Sequence, residues 1–246
     1  MLSKAIKLNL KIGAGDFAKA IIITIAAWLF TVVSATSMFS GIFPSIVLLA
    51  GTVISLVFSI KGLNKIFSSS LFNEEGSFYM VLPLSEKEII WSKIIAGSIY
   101  MLVLSLATVV IALMMALITG ADTADLGTKL LDTYVDADLP PMYIGILMGL
   151  LPLQTLLQQL TFCAFAIAVL LFFNLIKPGK LSVVAWLAIY GINAAVTNGL
   201  SFLYGRLLKN GLNCFLLEGC LDALYIVILF GLITYCIKTL GSKYNV

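Results

Sequence analysis

The chain alternates between long apolar runs and short polar interruptions. The apolar runs occupy about residues 20–39, 43–60, 94–119, 142–176, 181–204 and 220–237. Each is close to or above the roughly 20 residues that a helix needs to cross a hydrocarbon layer about 30 Å thick. Six membrane-spanning helices are therefore expected. Strands are not, because a membrane barrel needs short segments of alternating polarity. A tight turn containing Gly41 and Pro44 joins the first two crossings. The fourth run is longer than an upright crossing requires, so a tilted helix, or one that starts above the bilayer, is expected with a kink at Pro152. Residues 206–219 mix polar and apolar positions, as a pair of short re-entrant pieces would.

Two polar stretches carry structure of their own. In residues 1–19, Lys4, Lys7 and Lys11 fall on one helical stripe and Leu2, Ile6 and Leu10 on another, which predicts an amphipathic helix lying in the membrane interface. Gly13-Ala14-Gly15 would then be the hinge into the first crossing. The plainer alternative is a basic flank of that crossing. In residues 61–93, Phe67, Leu71, Phe72 and Phe78 alternate with Ser, Asn and the pair Glu74-Glu75, as in a short helix or turn docked against another surface. Pro83 then marks a stop. Ser85 and Glu88 have the spacing of a capping box, in which each side chain satisfies the other residue's backbone N–H. Glu86 and Glu88 also suit the positive end of the helix dipole. Trp91 and Lys93 are expected at headgroup depth.

Composition sets the class. Hydrophobic residues make up 61% of the 246 and charged residues 11%, against about 25% charged in a soluble domain. This predicts an all-α integral membrane protein, with a single transmembrane domain over residues 1–246. Charge sets the orientation. With six crossings, the N-terminal lysines, Lys61, Lys65, Lys87, Lys93, Lys177, Lys180, Lys238 and Lys243 fall on one side, and Lys129, Arg206 and Lys209 on the other. The excess of positive charge on the cytoplasmic side of membrane proteins then places both termini in the cytoplasm of a multi-pass cell-membrane protein. The net charge of +3 belongs to these flanks, so a nucleic-acid partner is not expected. The first twenty residues lack the apolar core and cleavage site of a removable signal peptide.

The missing chemistry narrows the function. There is no histidine, which removes Ser-His and Cys-His nucleophiles and His-ligated metals. No Gly-x-x-x-x-Gly-Lys-Ser/Thr occurs, so the chain lacks that means of cradling a nucleotide. No catalytic or metal-binding residue is predicted, and Glu74-Glu75 are read as a solvated or docking face. Cys163 and Cys236 fit packing roles; Cys214 and Cys220 could be bridged or free. Within the crossings, Gln154 and Gln158 are one helical turn apart, and Asn193 and Thr197 form a similar pair. Their side chains either bond between helices or face a central path. No Lys, Arg, Asp or Glu is expected deep in a crossing, which argues against ion coupling by carboxylates.

The layout resembles that of ABC-2-type permeases, the membrane subunits of ATP-binding-cassette exporters. The local likeness runs through Leu71-Phe72-Asn73-Glu74-Glu75-Gly76, then Val81-Leu82-Pro83-Leu84-Ser85, and on to Glu88-Ile89-Ile90 and Lys93. It implies that Phe67, Leu71, Phe72, Glu74, Glu75 and Gly76 form a cytoplasmic coupling helix held by a separate ATPase, with Pro83, Ser85 and Glu88 anchoring it. It implies further that ATP and Mg bind that partner and not this chain, and that a second copy or a paralogue completes the pathway. The substrate would be an amphipathic peptide or another hydrophobic molecule in a bacterial membrane. The layout is similar to permeases for phenol-soluble-modulin-type peptide toxins; drug, bacteriocin-immunity and sodium permeases are the alternatives. Outside this class stand a secondary transporter and a non-transporting membrane scaffold.

Overall fold

The computed structural model describes residues 1–35, 42–69, 85–118, 141–176, 182–209 and 214–244, and the regular structure of these residues is entirely helical. The helices are α1 (Leu2–Ala35), α2 (Ile42–Asn64), α3 (Glu86–Ile118), α4 (Pro141–Ile176), α5 (Ser182–Lys209) and α6 (Cys214–Tyr244). A π-helical turn, Lys65–Ser69, continues α2. Helix α1 packs along α2 and α3, and α4 packs along α6, α3 and α5. Helices α5 and α6 both lie on α4 and barely touch one another. Asn9 bonds Ser92, Lys93 bonds the backbone at Ile66, and Gly241 faces Glu86. The start of α1, the end of α2, the start of α3 and the end of α6 therefore share one end of the bundle, here termed the base.

Inside and outside are inverted relative to a water-soluble bundle. The buried face of α1 runs Ala5, Asn9, Gly13, Asp16, Phe17, Ala20, Thr24 and Ala27, mostly small or polar residues at helical spacing. It meets Gly51, Ser55, Ser59 and Gly62 of α2, also buried. Thr24 and Ser55 hydroxyls bond at 2.7 Å, and Ser55 Oγ donates to the Ala20 carbonyl at 3.1 Å. At Gly51 a Cβ would overlap the Ala27 methyl, so only glycine allows these backbones to approach so closely. Large aliphatic side chains point outward instead: Ile22, Leu29 and Val33 on α1, Leu49 and Val57 on α2, Leu106 and Val109 on α3. Small residues inside and large apolar ones outside are what helices in lipid require, because lipid gives no hydrophobic drive to bury leucine.

Among the described residues, five stretches are long and apolar enough to cross a bilayer: Leu2–Thr31, Ser45–Phe67, Glu86–Ile111, Pro152–Phe173 and Leu216–Ser242. The chain is thus a multi-pass helical membrane protein. Helix α5 is not among these described stretches. Its 28 residues are about 42 Å long, and the stretch from Trp186, beside Asn64 at the base, to Tyr204, beside Glu218 near the start of α6, covers about 27 Å of that.

Several expectations need correction. Helix α1 is unbroken, with no hinge at Gly13-Ala14-Gly15. Gly13 instead lies against Ile66 and Tyr100, so it serves close packing. The expected apolar stripe of Leu2, Ile6 and Leu10 is only half-buried, and the neighbouring face through Ala5 and Asn9 is the one that packs. Helix α4 is not one of these: it carries Pro152 within its length, where a kink is expected. Residues 206–219 are not a re-entrant pair: α5 extends to Lys209 and α6 begins at Cys214. That places Cys214 and Cys220 about 9 Å apart along one helix, beyond the roughly 7 Å that a disulfide spans, and Cys220 is a free thiol.

Candidate functional site

The first candidate region is the base. Leu63, Ile66 and Phe67 are buried in a core that includes Ile90 and Ile94 of α3, Ile167 and Leu171 of α4, and Ile189 of α5. Gly97 supplies the room for Phe67: a Cβ there would stand 2.6 Å from the ring's Cζ and 3.1 Å from Cys163 Sγ. Around this core runs a set of polar bonds. Lys93, 0% exposed, donates from Nζ to the Ile66 carbonyl at 2.7 Å. Asn9 Nδ2 donates to Ser92 Oγ at 3.0 Å, and the Tyr100 hydroxyl donates to the Leu10 carbonyl. Tyr100 also stacks on Phe17, with ring centroids 4.2 Å apart. Asp16, buried, pairs with the part-exposed Lys65 at 2.5 Å. Trp186 Nε1 donates to Asn64 Oδ1 at 3.1 Å, tying α5 to the end of α2.

Helix α3 leaves the base through a reciprocal cap. Ser85 N donates to Glu88 Oε2 at 3.1 Å, and Glu88 N donates to Ser85 Oγ at 3.3 Å. Of the residues assigned to coupling or anchoring, Phe67, Ser85 and Glu88 are placed in this way. Leu71, Phe72, Glu74, Glu75, Gly76 and Pro83 lie outside the described residues.

The second region lies between α4, α5 and α6, above the base. A cavity of about 530 Å³ is walled largely by apolar and aromatic side chains, among them Phe162, Phe165, Tyr190, Ile228 and Leu232, with Asn193 and Thr197 also on its surface. A smaller cavity of about 210 Å³ adjoins it on the side of Gln154, Tyr204 and Glu218. Gln158, Thr197, Leu200 and Tyr225 line both, so the two adjoin. Gln154, Gln158, Asn193 and Thr197 are thereby brought to one space. It lies where α5 and α6, both packed on α4, leave space between one another. Glu218 is held in its wall by Gln154 Nε2 at 2.7 Å and the Tyr204 hydroxyl at 3.0 Å. Asp222 is one turn further along α6, and its Oδ1 is buried without a hydrogen-bond partner.

Sequence reasoning missed Lys93, Asp16 and Glu218. Lys93 was expected at headgroup depth, yet it turns inward to a backbone carbonyl. Asp16 directly follows the Gly13-Ala14-Gly15 stretch read as a hinge, with its partner 49 positions away. Glu218 was assigned to a connection rather than to a helix, so a carboxylate beside the cavity was not foreseen. The heptapeptide Glu218-Gly219-Cys220-Leu221-Asp222-Ala223-Leu224 did carry a signal, since its two carboxylates are one helical turn apart. Among the described residues, no group of three His, Cys, Asp or Glu side chains could hold a metal ion.

These features define a class: a multi-pass helical membrane protein with a polar-bonded base at one end and a cavity above it between α4, α5 and α6. No family model matches the chain, and no curated protein or solved structure does.

Proposed function

We propose that this chain is the permease subunit of an ATP-driven exporter of the ABC-2 type, moving amphipathic peptides or other hydrophobic molecules out of the cell. In this reading α5 is the sixth crossing, the base is cytoplasmic, and residues 70–84 present Leu71, Phe72, Glu74, Glu75 and Gly76 to a separate ATPase that holds ATP and Mg. A second copy or a paralogue completes the pathway. The observation that carries the reading is the Lys93–Ile66 bond within the base. The chain enters 70–84 from the buried Phe67 and returns at Ser85 into a capped helix, and this bond ties the two arms together. A segment mounted on such a frame passes an applied displacement to the helices, whereas one on loose flanks would absorb it.

The test is ATPase activity of the reconstituted complex. Glu74→Lys/Glu75→Lys should leave the permease folded but abolish substrate stimulation of the ATPase. Normal assembly and normal stimulation in the double variant would remove the coupling assignment. A secondary transporter gains one observation in its favour, the Glu218 and Asp222 carboxylates beside the cavity. Substrate flux in vesicles under an imposed proton or sodium gradient, with no ATPase present, would decide for it.

A further inference from the structure

We propose that the two adjoining cavities bind an organic cation with an apolar body, its ammonium or guanidinium against Glu218 and its apolar part among Phe162, Phe165, Ile228 and Leu232. This deepens the export reading by naming the substrate class. The division of the space carries the inference. The smaller compartment holds a carboxylate, amides and phenols, while the larger is mostly apolar. Their volumes of about 210 and 530 Å³ suit a ligand of drug size.

Charge selects the sign of the ligand. Glu218 is the one charged side chain among the described lining residues of either cavity. Gln154 and Tyr204 donate to it, and a carboxylate accepts about four hydrogen bonds, so acceptor capacity remains for an N–H donor. Tyr204 and Tyr225 offer ring faces that attract a cation electrostatically. The unpartnered Asp222 Oδ1, one turn away, adds to the negative potential. An anion would meet Glu218 with no described cation in the lining to offset it.

The experiment uses the full-length permease in lipid nanodiscs without any ATPase, so its failure is separate from failure of the coupling assignment. The probes are dansylcadaverine, which carries a primary ammonium, and its uncharged counterpart, the dansyl amide of pentylamine. Binding is read by fluorescence after subtraction of empty nanodiscs. The wild type should prefer the cation, and Glu218→Gln should lower affinity for it about tenfold, the scale of one charge-assisted hydrogen bond. The uncharged probe should change less than about twofold, which also shows that the variant is folded. Glu218→Asp, which keeps the charge, should retain the preference. No preference in the wild type, or equal loss of both probes in Glu218→Gln, would overturn the proposal. So would displacement of dansylcadaverine by sodium chloride but not by choline chloride at equal ionic strength, which would assign the carboxylate to an inorganic cation.

Discussion

At Gly97 a side chain of one carbon would stand 2.6 Å from the Phe67 ring, inside the distance that packed atoms tolerate. Gly97→Ala should therefore destabilise the protein by about 1–3 kcal/mol, the usual result of overfilling a packed interior. Gly191, on the exposed side of α5, has nothing within 4 Å of the same position. Gly191→Ala should be neutral or stabilise by about 0.5–1 kcal/mol through reduced backbone freedom. Reversible unfolding in mixed micelles compares the two, and equal stabilities would mean that Phe67 is not seated on Gly97. Lys93 shows why such details were not legible in the sequence. A lysine near the start of an apolar run looks the same whether it snorkels to water or turns inward, and here its acceptor is a backbone carbonyl 27 residues earlier. No spacing rule links them.

Caps and helix lengths were more legible, because they depend on residues a few positions apart. The Ser85–Glu88 pair is local, and the structure has both of its reciprocal bonds. Replacing Ser85 with Ala should cost about 1 kcal/mol, confined to the first turn of α3. Hydrogen exchange of the amides at 86–90 should accelerate while those around Ile94 keep their protection; uniform acceleration would mean that the cap stabilises the entire base. Helix α1 was misjudged for the opposite reason. Gly13 and Gly15 suggested a break, but backbone freedom at glycine is spent in this fold on contact with Ile66 and Tyr100, and only the packed neighbours reveal that. The apolar runs identified every α-helix among the described residues, whereas polar residues obscured where α5 ends and where α6 begins.

The bundle as a whole puts Leu2 and Tyr244 at the base and Arg206 at the opposite end of α5. If α5 crosses the membrane, single cysteines at Ser3 and Ser242 in a cysteine-free background should react with an impermeant maleimide only after cells are permeabilised. A cysteine at Arg206 should react in intact cells. Labelling of the Ser3 and Ser242 positions from opposite sides would show that α5 does not cross. The grouping of Gln154, Gln158, Asn193 and Thr197 could be anticipated from their polarity in greasy surroundings, but the cavity they line comes from the space left between α5 and α6, which no local pattern encodes. The base has a bearing on biogenesis. Asn9 with Ser92, Leu10 with Tyr100, Asp16 with Lys65 and Ile66 with Lys93 all lie within the first 118 residues, and of the hydrogen bonds and ion pairs described there only that of Trp186 comes later. A ribosome that has just released α3 into the bilayer has already delivered both halves of each earlier pair, so the lysine amine meets its acceptor before the second half of the protein has been made.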